Sequence, residues 1–291
     1  GGGSSLAGAG GLPEGVSLLA ALRDAFPQAR DAVAFAAMRA RLRQLGGTSA
    51  LRAELEGLGF VVGGQLTTGA RPFNELARVV AGVMTQDDMA MENANLGRHA
   101  ERFMVACNRP EKDLHWADDA DEWVGKASLG QRHRLLLVRD LSWELFNVLA
   151  LGLEGGAPLE EAIGLVEAME AAAAEYASNT AGWSANVGLY FGAYGHASVN
   201  ALHLHVVDLD ATGPTHDALV GVLVPLQDVL TVLRDERLDR RLGRRFAGDG
   251  DGAQAGAAAY SSSAAAALAA TGGVRPSGAE RASGVAPATT A

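Results

Sequence analysis

The segment Leu202-His203-Leu204-His205-Val206 alternates apolar and imidazole side chains residue by residue. A period of two belongs to a β-strand, whose successive side chains point to opposite faces, and not to a helix, where residues three and four apart share a face. The predicted strand runs from about Val199 to Leu209. It offers Leu202, Leu204 and Val206 to a core on one face and sets His203 and His205, about 7 Å apart by the strand rise, on the other. The Gly192-Ala193-Tyr194-Gly195 turn that precedes it lets backbone N–H groups come close to an anion.

The rest of the chain supplies what that strand packs against. Leu18, Leu22 and Phe26 recur at helical spacing before Pro27, then Phe35, Met38, Leu42 and Leu45 before Gly46-Gly47, then Leu51, Leu55 and Leu58. Pro72 suits the first turn of a helix carrying Leu76, Val79, Val80 and Val83, and Thr85 with Asp88 resembles a helix start before Met89 and Met91. After Ala100 the pattern predicts strands at Arg102 to Cys107, Trp123 to Ala127 and Leu135 to Val138. Helices at about Leu141 to Leu151 and Pro158 to Tyr176 follow, and then a strand from Gly182 to Phe191. That order predicts an α+β fold with helices packed on a mostly antiparallel sheet. The predicted organisation is a Gly-rich linker at 1–16, a helical region at 17–100, an α+β domain at 101–246 and an Ala/Gly/Ser-rich tail at 247–291. Neither end carries enough apolar surface to offset the entropy of ordering it.

Composition removes several classes of function. A hydrophobic content of 48% supports a core, and 24 basic against 34 acidic side chains give a net charge of −10. Such a chain is poorly matched to duplex nucleic acid, whose affinity rests on Lys and Arg neutralising phosphates. No apolar run reaches the ~18–20 residues of a membrane span. The single cysteine, Cys107, excludes an intrachain disulfide framework and a CxxC zinc site, and points to a reducing, cytoplasmic location. The chain begins Gly-Gly-Gly rather than Met, so its start says nothing about targeting.

Three chemistries use paired histidines on a strand. A cupin-like metal site wants a Glu soon after the pair and a further His on a later strand, but after His205 come Val206, Val207 and Asp208, with no Glu until Glu236. An HxHxDH metallohydrolase wants Asp two residues on, whereas Asp208 is three on and faces the other way. The third is phosphoryl or nucleotidyl transfer through a histidine nucleophile, with imidazoles and backbone amides holding the phosphate oxygens. It fits these residues best and calls for neither a metal ion nor a cofactor.

The stretch Ser198-Val199-Asn200-Ala201-Leu202-His203-Leu204-His205-Val206-Val207 resembles the signature strand of the histidine-triad (HIT) superfamily, Ser-x-x-His-φ-His-φ-His-φ-φ, where φ is apolar. Upstream, Gln131-Arg132-His133-Arg134-Leu135-Leu136-Leu137-Val138 is similar to the family's His-then-apolar-strand segment, and Asn186-Val187-Gly188 to its Asn-x-Gly. The likeness covers about Arg102 to Arg234 and leaves the first hundred residues aside. It implies a HIT-like fold and a nucleotidyl hydrolase or transferase acting on a nucleoside phosphate derivative. His203 would be the nucleophile and His205 its neighbour, with Ser198, Asn186, His133 and His196 as candidates for holding nucleotide or phosphate. The homodimer common in the family is the assembly it suggests. Two positions depart from the pattern: the first triad histidine is Ala201, and the histidine closing the family's Pro-x-x-His falls on Leu141. A register shifted by two would instead make His203 and His205 the first and middle triad members and Val207 the third.

Blander readings stand beside these. His203 and His205 can be a half-exposed pair with satisfied hydrogen bonds, His133 can simply pack before a buried strand, Asn186 can be a turn residue, and His196 a solvated loop histidine. Arg234, Arg237, Arg240, Arg241, Arg244 and Arg245 interleave with Asp235, Glu236 and Asp239, the pattern of a solvated helix rather than a phosphate-binding surface. A noncatalytic nucleotide- or protein-binding module is the rival to the enzyme.

Overall fold

The computed structural model describes residues 17–86, 88–154, 157–196 and 201–243. The two segments read as linkers, 1–16 and 247–291, lie outside these residues, as do Ser198, Arg244 and Arg245.

The predicted N-terminal helices form as α1 (Leu18–Ala25), α2 (Ala32–Gln44) and α3 (Gly47–Gly57); Leu18, Leu22, Phe35, Met38, Leu42, Leu51 and Leu55 are buried, whereas Leu58, just past α3, is exposed. Asp31 caps α2 by accepting from the Ala34 N–H at 2.8 Å. The N-terminus of α1 is served from a distance. Glu54 of α3 accepts from the Leu18 and Leu19 backbone N–H groups and also from the Tyr194 hydroxyl, at 2.7 Å.

A two-stranded hairpin, β1 (Val61–Val62) and β2 (Gln65–Leu66), turns through Gly63 and Gly64, both at positive φ. This is the Gly-Gly hairpin signal, overlooked in the helical reading. Next come α4 (Glu75–Val80) and α5 (Met89–Ala94). Pro72 does not open α4; Asn74 does, accepting from the Ala77 N–H at 3.2 Å.

The main sheet contains β3 (Phe103–Cys107), β4 (His133–Val138), β5 (Val187–Gly192), β6 (His203–Asp208) and β7 (Leu223–Pro225), in the order β3-β4-β6-β5-β7 with every neighbouring pair antiparallel. The fold is therefore α+β around an antiparallel sheet. On the outer edge, Asn93 pairs with both backbone groups of Val105, and Gln86 with both of Cys107.

Between strands lie α6 (Pro110–Leu114), the long α7 (Ala157–Asn179) and α8 (Pro214–Leu219), and α9 (Leu226–Arg241) follows β7. Three of the predicted elements differ. Trp123 to Ala127 is a run of turns rather than a strand: Gly125 sits at φ +81, the Lys126 and Ala127 N–H groups bond back to Trp123, and the Trp123 ring stacks on His115 at 3.9 Å. The predicted helix at 141–151 is two short 3-10 turns, Trp143–Phe146 and Val148–Ala150, broken at extended Asn147. Buried Asn147 accepts from the Leu149 and Tyr194 N–H groups and donates to the Gly192 carbonyl, so its side chain replaces the helical bonds it interrupts. The strand predicted from Gly182 begins only at Val187, because Gly182 turns at φ +84 and Ser184 is tied to Asp208.

One hydrophobic core runs from Leu18, Phe35 and Met38 through Leu136, Leu204, Met169 and Leu233, so the helical region and the sheet share an interior. A buried ionic group crosses it. Fully buried Arg39 donates to Glu236 at 2.8 and 2.7 Å and to the Leu149 and Leu151 carbonyls at 3.0 and 2.9 Å, and Arg43 reaches the same carboxylate at 2.7 Å. Burial alone would raise the Glu236 pKa, but the two guanidinium groups hold it down at about 2. Among the described residues no helix is long and apolar enough to cross a membrane.

Candidate functional site

β6 lies between β4 and β5, and its register sets the site. Leu137 is opposite His203, Leu135 and Tyr190 flank His205 from either side, and His133 is opposite Val207. Cross-strand partners share a face. His133, His203, His205 and Tyr190 therefore stand on one face, while Leu204 and Val206 enter the main core on the other. The alternation does what the sequence requires of it: the apolar residues are buried and the two histidines are half-buried.

The His203 and His205 rings lean together, with centroids 5.0 Å apart at 66°. His133 is buried and stacks on His205 at 5.2 Å, its Nε2 lying 2.9 Å from His205 Nδ1. His203 Nδ1 lies 2.9 Å from the Ala201 carbonyl oxygen. A carbonyl only accepts, so the His203 proton is on Nδ1 and a lone pair is left on Nε2.

Burial lowers the His203 pKa from its ordinary 6.5, opposed by the bond to Ala201. Burial, then His203 and His133, carry His205 well below that value. For His133, burial comes first, then Arg134, His203, Lys112 and His216, and the result is about 3. All three are neutral at pH 7. A neutral imidazole with a bare Nε2 on a half-buried face is a nucleophile or a base without a deprotonation step.

Comparison with protein-family models, curated proteins and solved structures returned no match.

Of the other candidates, His133 joins the pair and two do not. Asn186 is exposed at the opposite end of β5, where its amide donates to Asp210 at 2.9 Å. Asn186 precedes Val187, which pairs with Asp208, three residues along β6 from His205. His196 folds back onto the end of α1, its Nε2 against the Phe26 carbonyl, and so secures the turn after β5. Ala201 is buried, lacks the imidazole, and contributes its carbonyl to His203. Leu141 is a structural position, its carbonyl accepting from the Leu66 N–H at 2.7 Å where β2 docks.

Three arginines of the run on α9 pair with α7. Arg234 pairs with Glu167 at 2.8 Å, and Arg237 and Arg241 both pair with Glu160 at 3.0 Å, on a helix that also buries Glu236 of the same run.

Sequence reasoning missed Asn108, Ser128, Asp113 and Tyr190. Asn108 Nδ2 lies 2.9 Å from His133 Nδ1 and donates to Ser128 Oγ at 2.9 Å, while the Ser128 hydroxyl donates to Asp113. Tyr190 carried a signal, since a strand paired with the histidine strand had to place alternate residues beside it. Among the described residues no group of three or more His, Cys, Asp and Glu side chains is arranged to hold a metal ion. Clefts of about 850 Å³ beside Arg139 and Trp143 and about 750 Å³ beside Trp183 are lined by other residues than these histidines.

Proposed function

We propose that this chain is a HIT-like nucleotidyl hydrolase or transferase acting on a nucleoside phosphate derivative. The supporting observation is the bond from His203 Nδ1–H to the Ala201 carbonyl, which leaves the lone pair on Nε2 of a half-buried side chain. His203 Nε2 attacks the α-phosphorus, a P–N bond forms, and the bond to the leaving group breaks with its electron pair. The leaving group takes up a proton. Water then attacks the nucleotidyl-imidazole, releasing the nucleoside monophosphate and restoring the bare nitrogen; a second acceptor in place of water makes the reaction a transfer. His205 faces the developing charge as a neutral hydrogen-bonding group.

Ala201 and Leu141 favour a second reading, a nucleotide-binding module without turnover. Covalent trapping separates the two. Incubation with a labelled nucleoside phosphoramidate and a basic quench, which spares phosphoramidate bonds to histidine, places label on the peptide carrying His203 in an enzyme. Thermal stabilisation by nucleotides, about 2.7 kcal/mol at a hundredfold excess over the dissociation constant, with no label, marks the binding module. Neither label nor stabilisation across adenine and guanine substrates rejects both.

A further inference from the structure

The two imidazoles of β6 differ in what lies behind them. His203 leans on a backbone carbonyl, whereas His205 leans on His133, and behind His133 stands a chain of side chains ending at a carboxylate. We propose that Asn108 is a positioning residue that sets the proton of His205: by donating to His133 Nδ1 it places the His133 proton on Nε2, and through that bond the His205 proton on its outer nitrogen.

The directions follow from what each group can do. Asp113 is an acceptor held beside Arg134, 3.7 Å away, and takes the Ser128 hydroxyl proton. Ser128 Oγ is then free only to accept, and it accepts from Asn108 Nδ2. The same nitrogen has a second hydrogen, which points to His133 Nδ1 at 2.9 Å. The Leu129 backbone N–H, which can only donate, reaches that same Nδ1 at 3.2 Å. With two donors on it, His133 Nδ1 carries no proton, and Nε2 does. That proton is donated to His205 Nδ1, so the His205 proton sits on Nε2.

His203 and His205 therefore present opposite faces to a ligand. One Nε2 is a lone pair and the other is an N–H, side by side and both uncharged. A nucleophile and a hydrogen-bond donor are obtained from identical side chains by different backing. The donor role for His205 rests on the function proposed above, but the tautomers do not. The charged and titratable groups that face the relay are Lys112 and Asp113 of α6, Arg134 of β4, Tyr190 of β5, His203 of β6 and His216 of α8. Of these, the Asp113 carboxyl is turned to Ser128 and Arg134.

Nitrogen-15 histidine spectra of the full chain at pH 7 test this directly. The expected result is Nε2–H for His133 and His205 and Nδ1–H for His203. A proton on His133 Nδ1 in the wild type overturns the proposal, whether or not the chain turns over nucleotides. Asn108→Asp replaces the donor with an acceptor and is expected to bring a proton onto His133 Nδ1. In a nucleoside phosphoramidate assay it should lower kcat about 10²-fold with KM little changed, and move the acid limb of the pH profile upward. Ser128→Ala frees the Asn108 amide to turn its oxygen to His133, and a smaller shift in the same direction is expected. An Asn108→Asp variant that is folded but has unchanged His133 and His205 resonances rejects the role of Asn108. Correct wild-type tautomers with no turnover on any nucleotide reject the proposed function and leave this assignment standing.

Discussion

Two of the buried polar groups among the described residues are finished differently. Around Glu236, each carboxylate oxygen and each guanidinium has its partners, two arginines share one acid, and the group is charged and closed. Around His133 the chain of hydrogen bonds is equally continuous, but its imidazoles are neutral, and the outer nitrogens of His203 and His205 have no hydrogen-bond partner among the described residues. Burying a charge is costly unless its partners are complete, so a charged cluster must close, whereas neutral imidazoles can be buried and still keep an unspent atom. The difference separates a strut from a site.

Removing a member of each group should break different properties. His203→Ala is expected to cost turnover about 10⁴-fold or more, with nucleotide binding and melting temperature little changed, in single-turnover assays with a labelled phosphoramidate. An active His203→Ala with loss confined to His205 variants would favour the shifted register. Glu236→Ala takes the carboxylate from fully buried Arg39 and is expected to cost about 3–5 kcal/mol in urea unfolding, while turnover per folded molecule persists.

Acid should distinguish the groups without mutation. The unfolded chain protonates His133 near 6.5 while the folded chain resists to about 3, so the unfolded state binds more protons and stability falls as pH drops below 6.5. The fall approaches about 1.4 kcal/mol per pH unit for each histidine held neutral. Glu236 contributes stability that is present above its ordinary 4.5 and lost as pH falls through about 2. Thermal melts between pH 6.5 and 4.5 thus report the histidines, and His133→Gln should flatten that slope. The smallest effect is expected at Arg237→Ala, which breaks a half-exposed pair with Glu160 and should cost less than about 1 kcal/mol.

What the sequence made legible follows from the range of each interaction. The helices α1 to α3, the strands β3 and β4 and the alternating strand β6 were readable because periodicity is local. So were His203 and His205 as a pair on one face. The break at Asn147 was not, since Gly192 and Tyr194, which replace its helical bonds, lie more than forty residues away. The strut was hidden for the same reason: Arg39 sits on an apolar helix face and Glu236 in a run of charges that reads as solvated, with 197 residues between them. Asn108 had no pattern at all. It became meaningful only when antiparallel pairing of β3 with β4 carried it to His133.

An open sheet edge is a template on which another chain can lay a strand. Along β3 the outward groups are already answered: Val105 by Asn93, Cys107 by Gln86, and the Phe103 carbonyl by Arg139 at 2.9 Å. Two amide side chains imitate a neighbouring strand, donor for acceptor and acceptor for donor. A second copy seeking to extend the sheet past β3 must first displace them, so encounter along this border is unproductive. The flank of the sheet is guarded by side chains, and association through it is discouraged before any specific contact forms.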